Sequence, residues 1–271
     1  MSGVRFVVPL PIMGNAPDGT ASRLHRDIDG VRFSDSLPYR RKGLAQILIG
    51  FSRDAVSVSL LRSMGHQAWT CDLLPADHDF HIQGNVWHFI DDNWHWDWAV
   101  FHPMCTYLTT SAAWAFEDPD YEKYPEIGYH QRVKSDTLTG KVRRDARKLA
   151  LMNFEKLLDL PYPKAIENPA RSYINKAIRP PDQVIQPYQF GDDASKATGL
   201  WLDRLPPLEY TNRVPGRIVQ HNGKWVERWA NQTDSGQNRL TPSEDRWLER
   251  SKTYPGIAEA IALQWGSMAV N

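Results

Sequence analysis

Residues 45–72 read AQILIGFSRDAVSVSLLRSMGHQAWTCD, and this stretch decides the fold. The apolar run 45–50 is stopped by a glycine and predicts a strand, whereas the apolar residues at 56, 60, 61 and 64 recur at helical spacing before Gly65. Residues 66–72 predict a second strand that ends in the carboxylate of Asp72. A strand, a helix and a strand within about 30 residues form a βαβ unit, whose two strands run in parallel.

The rest of the chain continues this alternation. Short apolar runs predict strands at 98–101, 164–166 and 198–202, and residues 143–158 predict an amphipathic helix with basic residues between its apolar positions. A last helix, 257–265, is expected after Pro255-Gly256. The order predicts an α/β fold of the Rossmann-like type, with a largely parallel sheet and helices on both faces. Ligands of such sheets bind at the carboxyl ends of the strands.

Composition sets the remaining limits. The chain has 271 residues, is 41% hydrophobic and carries 32 basic and 32 acidic side chains, which excludes collagen-like, disordered and membrane-spanning classes. We expect one α/β domain at 44–271, with a reduced insert at about 209–245, after an irregular extension at 1–43. A zero net charge argues against a nonspecific DNA coat. Two cysteines and an apolar stretch at 7–13 that prolines interrupt predict a cytoplasmic protein without a signal peptide.

Chemistry-bearing residues follow four of the expected strands, at 50–52, at Asp72, at 102–105 and at 167–169. A cysteine after one buried strand, with a carboxylic acid after the next, suits nucleophilic attack on an electrophilic ring that the acid protonates. Two alternatives stay open. Cys105 is also consistent with a small buried apolar residue, the commoner role of a cysteine, and Asp72 with a turn residue rather than a ribose ligand.

Three other groups of residues have a structural interpretation beside a functional one. The histidines at 78, 81, 88, 95 and 102 do not match the spacing of a metal site. The tryptophan tract 94–98 is favoured as core packing over base stacking. Arg53 beside Asp54 is favoured as a solvated ion pair over a phosphate contact.

Eight motifs in order carry a resemblance to a known family. They span about 220 residues and lie at 47–52, 65–75, 81–86, 102–108, 165–169, 178–191, 196–202 and 254–262. In this order they resemble the cytosine-C5 DNA methyltransferases, and more closely a compact group of phage- and prophage-borne methyltransferase-like proteins. The resemblance implies a class I methyltransferase-type sheet and an enzyme of a phage or of its bacterial host's cytoplasm.

The resemblance also implies roles for individual residues. The Cys105 thiolate would add to C6 of cytosine, Glu167 would protonate N3, and Asn168 would position the catalytic loop. S-adenosylmethionine would donate the methyl group, with Asp72 on its ribose and Asn85 on its adenine. The cofactor set is completed by Gly50, Phe51, Ser52, Leu73 and Pro103, and the substrate set by His102, Thr106, Lys196 and Thr198. Cytosine in DNA, or a pyrimidine nucleotide, is the implied substrate.

The chain departs from the family pattern mainly where the cofactor is expected. Residues 50–55 contain a single glycine, Met104 replaces the second proline of Pro-Pro-Cys, and Asn85 stands where an aspartate is expected. Two alternatives therefore remain: a catalytically silent relative that binds a nucleotide, nucleic acid or protein partner, and an enzyme that adds a different group at pyrimidine C5. Since a thiol at its ordinary pKa is mostly neutral at pH 7, catalysis requires an activated Cys105, for example by a helix N-terminus after Thr106.

Overall fold

The computed structural model describes residues 44–90, 95–240 and 252–268. The expected extension 1–43, residue Trp94 and the end of the insert at 241–245 lie outside these ranges. Nine strands are described: β1 (Gln46–Gly50), β2 (Gln67–Asp72), β3 (His81–Gln83), β4 (Trp98–Phe101), β5 (Lys164–Pro169), β6 (Gln183–Ile185), β7 (Thr198–Asp203), β8 (Arg217–His221) and β9 (Lys224–Arg228). The α-helices are α1 (Ala55–Ser63), α2 (Gly140–Leu158), α3 (Ile174–Ala177) and α4 (Pro255–Ala260), and α4 continues as a π-helical turn, Ile261–Trp265. Short 3-10 helices lie at Val86–His88, Ala113–Phe116 and Pro187–Gln189.

Seven strands form one mixed sheet in the order β3-β2-β1-β4-β5-β7-β6. The first five of these strands are parallel, and β7 is antiparallel to both of its neighbours, so that it alone reverses direction. The order matches the doubly wound order 3-2-1-4-5-6 with one antiparallel strand inserted before the edge. The predicted α/β class and the largely parallel sheet are thus confirmed, and the sheet is compatible with a Rossmann-like fold.

The two faces of the sheet bury different helices. On one face, Ile47 and Ile49 of β1 pack with Val58 and Leu61 of α1 and with Trp265 beyond α4. On the other face, α2 packs against β7, where the Phe154 and Trp201 rings meet edge to face at 5.1 Å. Alternate residues of a strand point to opposite faces, which explains why nearly every residue of these central strands is buried. No helix in the described ranges is long and apolar enough to cross a membrane.

The structure corrects several sequence-based bounds. Strand β5 does not end at Ile166 but runs through Glu167 and Asn168 to Pro169, so both candidate site residues lie on the strand itself. The last helix begins at Pro255 rather than after Gly256. The short strands β3 and β6 escaped prediction because each has only three residues, too few for a period to show. The polar insert forms the β8–β9 hairpin.

The buried face of helix α2 also differs from the predicted one. The helix covers 140–158, but Met152, expected on the apolar face, is exposed, whereas Arg143 is only 5% exposed. Phe154 and Leu157 supply the buried apolar contacts of its second half. The basic residues of α2 are therefore not all on its outer face.

Lys164 joins β5 to the loop after α2 and to β7, at the end of the sheet away from the candidate site. Its side chain is almost fully buried, and its ammonium donates to the carbonyls of Leu160 and Tyr162 and to the carboxylate of Asp203. We expect Lys164→Ala to lower the free energy of unfolding by about 3 kcal/mol, because it leaves a cavity and unpaired buried acceptors. Urea denaturation measures this loss. Lys156→Ala, an exposed change on α2, should lower it by less than about 0.5 kcal/mol; equal losses would contradict the assignment.

Candidate functional site

Backbone hydrogen bonds join the carboxyl ends of β1, β2 and β4. The His102 N–H donates to the Gly50 carbonyl at 3.0 Å, and the Ser52 N–H donates to the Cys71 carbonyl at 3.1 Å. The loop after β4 is joined to β5 in turn, because the Asn168 amide donates to the Pro103 carbonyl at 3.0 Å. The residues that follow β1, β2 and β4 and those that end β5 therefore lie along one edge of the sheet.

Glu167 is the most strongly perturbed carboxyl of this edge. Its Oε2 atom lies 3.0 Å from Nδ1 of His102, and both side chains are largely shielded from water. Burial by itself raises the pKa of Glu167, but Lys196, the hydrogen bond to His102 and a hydrogen bond from Thr198 outweigh burial and lower the pKa to about 2. Glu167 is therefore a carboxylate at neutral pH.

The antiparallel direction of β7 brings Lys196 and Thr198 to this carboxylate. Thr198 pairs with Pro169 in the strand register, so β7 starts beside the end of β5. The Lys196 N–H donates to the side-chain oxygen of Gln186 at 2.9 Å, which fixes the backbone two residues before β7 begins. All four residues of this cluster, His102, Glu167, Lys196 and Thr198, had been singled out from the sequence.

Cys105 lies in the loop after β4, and its side chain is exposed. The alternative of a small buried apolar residue is therefore wrong for Cys105. It fits Cys71, which is fully buried and whose thiol pKa is raised to about 12 by burial and by neighbouring Asp72. No helix starts after Thr106: the N–H groups of Leu108 and Thr109 both donate to the Cys105 carbonyl and close a single turn.

Two arginines of α2 hold this turn and were not selected from the sequence. Arg143 donates to the Thr106 carbonyl at 3.4 Å, and Arg147 donates to the Tyr107 carbonyl at 3.1 Å. The helical spacing indicates that both arginines face inward, since positions 143, 147 and 154 lie on one stripe of α2 and Phe154 is buried. Basic side chains are usually assigned to the solvent face, which is why the stripe was overlooked.

Apart from Pro103, which follows β4, the expected cofactor residues lie at or after the ends of β1 to β3. One carboxylate oxygen of Asp72 accepts the Leu74 N–H at 2.8 Å, and the Asp72 carbonyl accepts the Gly84 N–H at 2.8 Å. Asn85 uses its side-chain oxygen to cap the 3-10 helix at the Trp87 N–H, and Leu73 is exposed. The interpretation of Asp72 as a turn residue is thus partly correct, although no described residue donates to its second oxygen.

The loop after β1 is shaped by packing and by the start of α1. A Cβ added to Gly50 would lie 2.6 Å from the Phe101 ring, so this glycine makes room for β4. Phe51 takes a positive φ of 56° and contacts the Trp87 ring edge to face. The Asp54 carboxylate caps α1 at the N–H groups of Val56 and Ser57.

These contacts decide how well S-adenosylmethionine fits. Its adenosine half is compatible with the second carboxylate oxygen of Asp72, at the end of β2, and with the Phe51 ring, which follows β1. For its methionine half, Ser52 already accepts the Asp54 N–H, and Asp54 occupies the α1 terminus that would attract a carboxylate. Arg53 donates to the Pro75 carbonyl, and no ion pair with Asp54 is found in the described ranges. The residues at the strand ends therefore fit the adenosine half. For the methionine half, they leave only backbone groups of the loop as partners.

The histidines and tryptophans have structural contacts. His78 and His81 both contact the Thr70 hydroxyl, far along the sheet from the His102 pair with Glu167. Within the described ranges, no three His, Cys, Asp or Glu side chains are placed to hold a metal ion. Trp96 and Trp98 are buried, as the packing interpretation predicted.

No protein-family model matches the chain, and no curated protein sequence is significantly similar to it.

Proposed function

We propose that the chain is a pyrimidine-C5-modifying enzyme of the cytosine-C5 methyltransferase type. The observation that carries this proposal is the Glu167 carboxylate, held by His102 and Lys196 at the end of β5, beside the loop that exposes Cys105. A nucleophile and a charged hydrogen-bond acceptor on one edge suit a ring that is attacked at one atom and held at another. The sheet order is compatible with the class I methyltransferase-type fold that the motifs imply.

In the proposed reaction, the Cys105 thiolate forms a bond to C6 of cytosine and drives the ring electrons to C5 and N3. The Glu167 carboxylate accepts the 4-amino N–H and stabilises the proton that N3 gains from solvent. S-adenosylmethionine, when bound, supplies the electrophilic methyl group that C5 takes. Loss of the C5 proton to water then expels the thiolate, and N3 returns its proton to solvent, which restores the aromatic ring. With its pKa at about 2, Glu167 has no proton of its own to donate at neutral pH.

Covalent trapping tests the proposal directly. A cytosine with fluorine at C5 cannot lose a proton there, so the adduct to Cys105 persists after methyl transfer. The full chain is incubated with 5-fluorocytosine DNA, or with the free fluorinated nucleotide, with and without S-adenosylmethionine, and its intact mass is measured. We expect a mass increase for the adduct plus one methyl group, absent with Cys105→Ser. No adduct with either substrate would contradict the proposal.

The β8–β9 hairpin favours DNA over a free nucleotide as the substrate. Trp225 is 72% exposed and Ile218 is 61% exposed, and the strand register puts Gln220 between them on the same face. Residues 213–240 carry five basic and two acidic side chains, although the whole chain is neutral. Exposed aromatic rings among cations suit contact with bases and phosphates.

Trp225→Ala tests whether the hairpin contacts nucleic acid. We expect about tenfold weaker binding of single-stranded or duplex DNA at fixed salt, because one base-stacking contact contributes about 1–3 kcal/mol. Fluorescence anisotropy measures the affinity. Tyr121→Ala removes another exposed aromatic side chain, outside the hairpin, and should leave the affinity unchanged. Equal affinities for all three proteins would exclude a hairpin contact.

The capped start of α1 favours a second candidate, a protein of this fold that binds a nucleotide, nucleic acid or protein partner without methyl transfer. The Asp54 N–H donates to the Ser52 hydroxyl, and the Asp54 carboxylate accepts the N–H groups at the start of α1. Few donors are therefore left there for a methionine carboxylate. Calorimetric titration separates the two candidates. Micromolar binding of S-adenosylmethionine supports the enzyme, and binding of a cytidine nucleotide alone supports the second candidate or a different C5 modification.

A further inference from the structure

We infer that Arg143 and Arg147 of α2 are positioning residues for Cys105, acting through the backbone of the turn that Cys105 begins. This inference rests on the proposed function, since it assigns a task in bringing the thiol to the pyrimidine. Both side chains leave α2 on the stripe that faces the sheet, one helical turn apart. They bind consecutive carbonyls, those of Thr106 and Tyr107, immediately after the cysteine.

The turn is held by the rest of the chain at four successive points. Asn168 binds the Pro103 carbonyl, Arg143 the Thr106 carbonyl, Arg147 the Tyr107 carbonyl, and the Tyr173 N–H the Leu108 carbonyl at 2.7 Å. Between the first and second of these points lie Met104 and Cys105, both exposed. The bonds therefore fix the backbone on each side of the thiol and leave the thiol itself facing outward.

Aromatic rings hold the two guanidinium groups in place. The Arg147 guanidinium lies between Phe116 and Tyr173, at 3.2 Å and 3.4 Å from the ring centroids, and these two rings lie 6.0 Å apart. Arg143 lies 4.6 Å from the Phe116 centroid and also donates to the Leu138 carbonyl. Such stacking orients a planar cation and removes its freedom to turn away from the loop.

A contribution to folding stability does not explain this arrangement. Neither guanidinium has a carboxylate partner in the described ranges, and Nε of Arg143 and Nη2 of Arg147 are buried without a hydrogen-bond partner there. Burial lowers the pKa of both groups. A buried guanidinium and a partly buried one, both without a carboxylate partner in the described ranges, are costly to fold, so we expect them to serve a function at the cysteine turn. Cations beside a thiol favour the thiolate.

The pH dependence of Cys105 alkylation measures the effect of the two arginines on the thiol without DNA or a methyl donor. The buried Cys71 is protected, so iodoacetamide labelling followed by mass spectrometry reports Cys105 in the full chain. We expect Arg147→Gln to move the midpoint of the alkylation rate to higher pH by about half a unit, and to slow trapping by 5-fluorocytosine DNA at least threefold. Lys148→Gln removes the same charge from an exposed neighbour that contacts Asp145, and should change neither quantity.

The conservative variants keep the inference falsifiable if Arg147→Gln does not fold. Arg147→Lys and Arg143→Lys retain the charge but not the planar fork, so the pH midpoint should stay near that of the unaltered protein while trapping slows. An Arg147→Gln protein of unchanged melting temperature, midpoint and trapping rate would overturn the inference, as would full-speed trapping with both lysine variants. An unaltered chain that is alkylated but traps no fluorocytosine would contradict the proposed function, and the alkylation midpoints would still decide the role of Arg147.

Discussion

Cys105→Ser is expected to abolish methyl transfer to DNA, by at least about 1,000-fold, while leaving the melting temperature within a degree of the unaltered protein. The loss follows because a serine hydroxyl is far less nucleophilic than a thiolate. Stability is retained because the side chain is exposed and its replacement is nearly isosteric. Transfer of a labelled methyl group and a thermal melt measure the two quantities.

Cys71→Ala is the matched control, because it alters the other cysteine of the chain. Cys71 is fully buried between β1 and β3, so its truncation should lower the melting temperature while methyl transfer persists at temperatures where the protein is folded. The two variants thus separate a thiol used in chemistry from a thiol used in packing. Full activity of Cys105→Ser would exclude addition of this thiol to the pyrimidine.

Glu167→Gln is expected to lower both activity and stability. Activity should fall by about 100- to 1,000-fold, because a neutral amide does not stabilise the proton at N3 as a carboxylate does. The pKa of Glu167 in the folded protein, about 2, lies below its ordinary value of 4.5. Its ionised form therefore stabilises the fold by up to about 3 kcal/mol above pH 4.5, and this contribution disappears as the pH falls toward 2.

Urea denaturation at pH 7 and pH 3 tests the stability part. The difference in free energy of unfolding between the unaltered protein and Glu167→Gln should be largest at pH 7 and markedly smaller at pH 3. Glu155→Gln alters an exposed carboxyl on α2 and should show no such pH-dependent difference. A difference that is the same at both pH values would show that Lys196 and His102 do not hold the Glu167 carboxylate ionised.

Most of the sheet could be predicted because its central strands are uninterrupted apolar runs. Ile47 to Ile49 and Trp98 to Phe101 are buried on both faces, which leaves the sequence no polar residues to obscure the pattern. The short strands β3 and β6, and the extension of β5 through Glu167, were missed. Their assignment depends on partners distant in the chain, such as the pairing of Glu167 with Leu200.

For the candidate site too, some features follow from the sequence and others depend on the tertiary structure. The sequence by itself determined the α/β class, the parallel core strands and the positions of Cys105 after β4 and Asp72 at the end of β2, because the local hydrophobic pattern fixes where those strands stop. Only the tertiary structure decided that β7 is antiparallel, which brings Lys196 to Glu167 and keeps that carboxyl ionised. Likewise, only the packing of α2 turned Arg147 inward to the cysteine turn, since the burial of a charge depends on carbonyls and rings that the sequence places far from it.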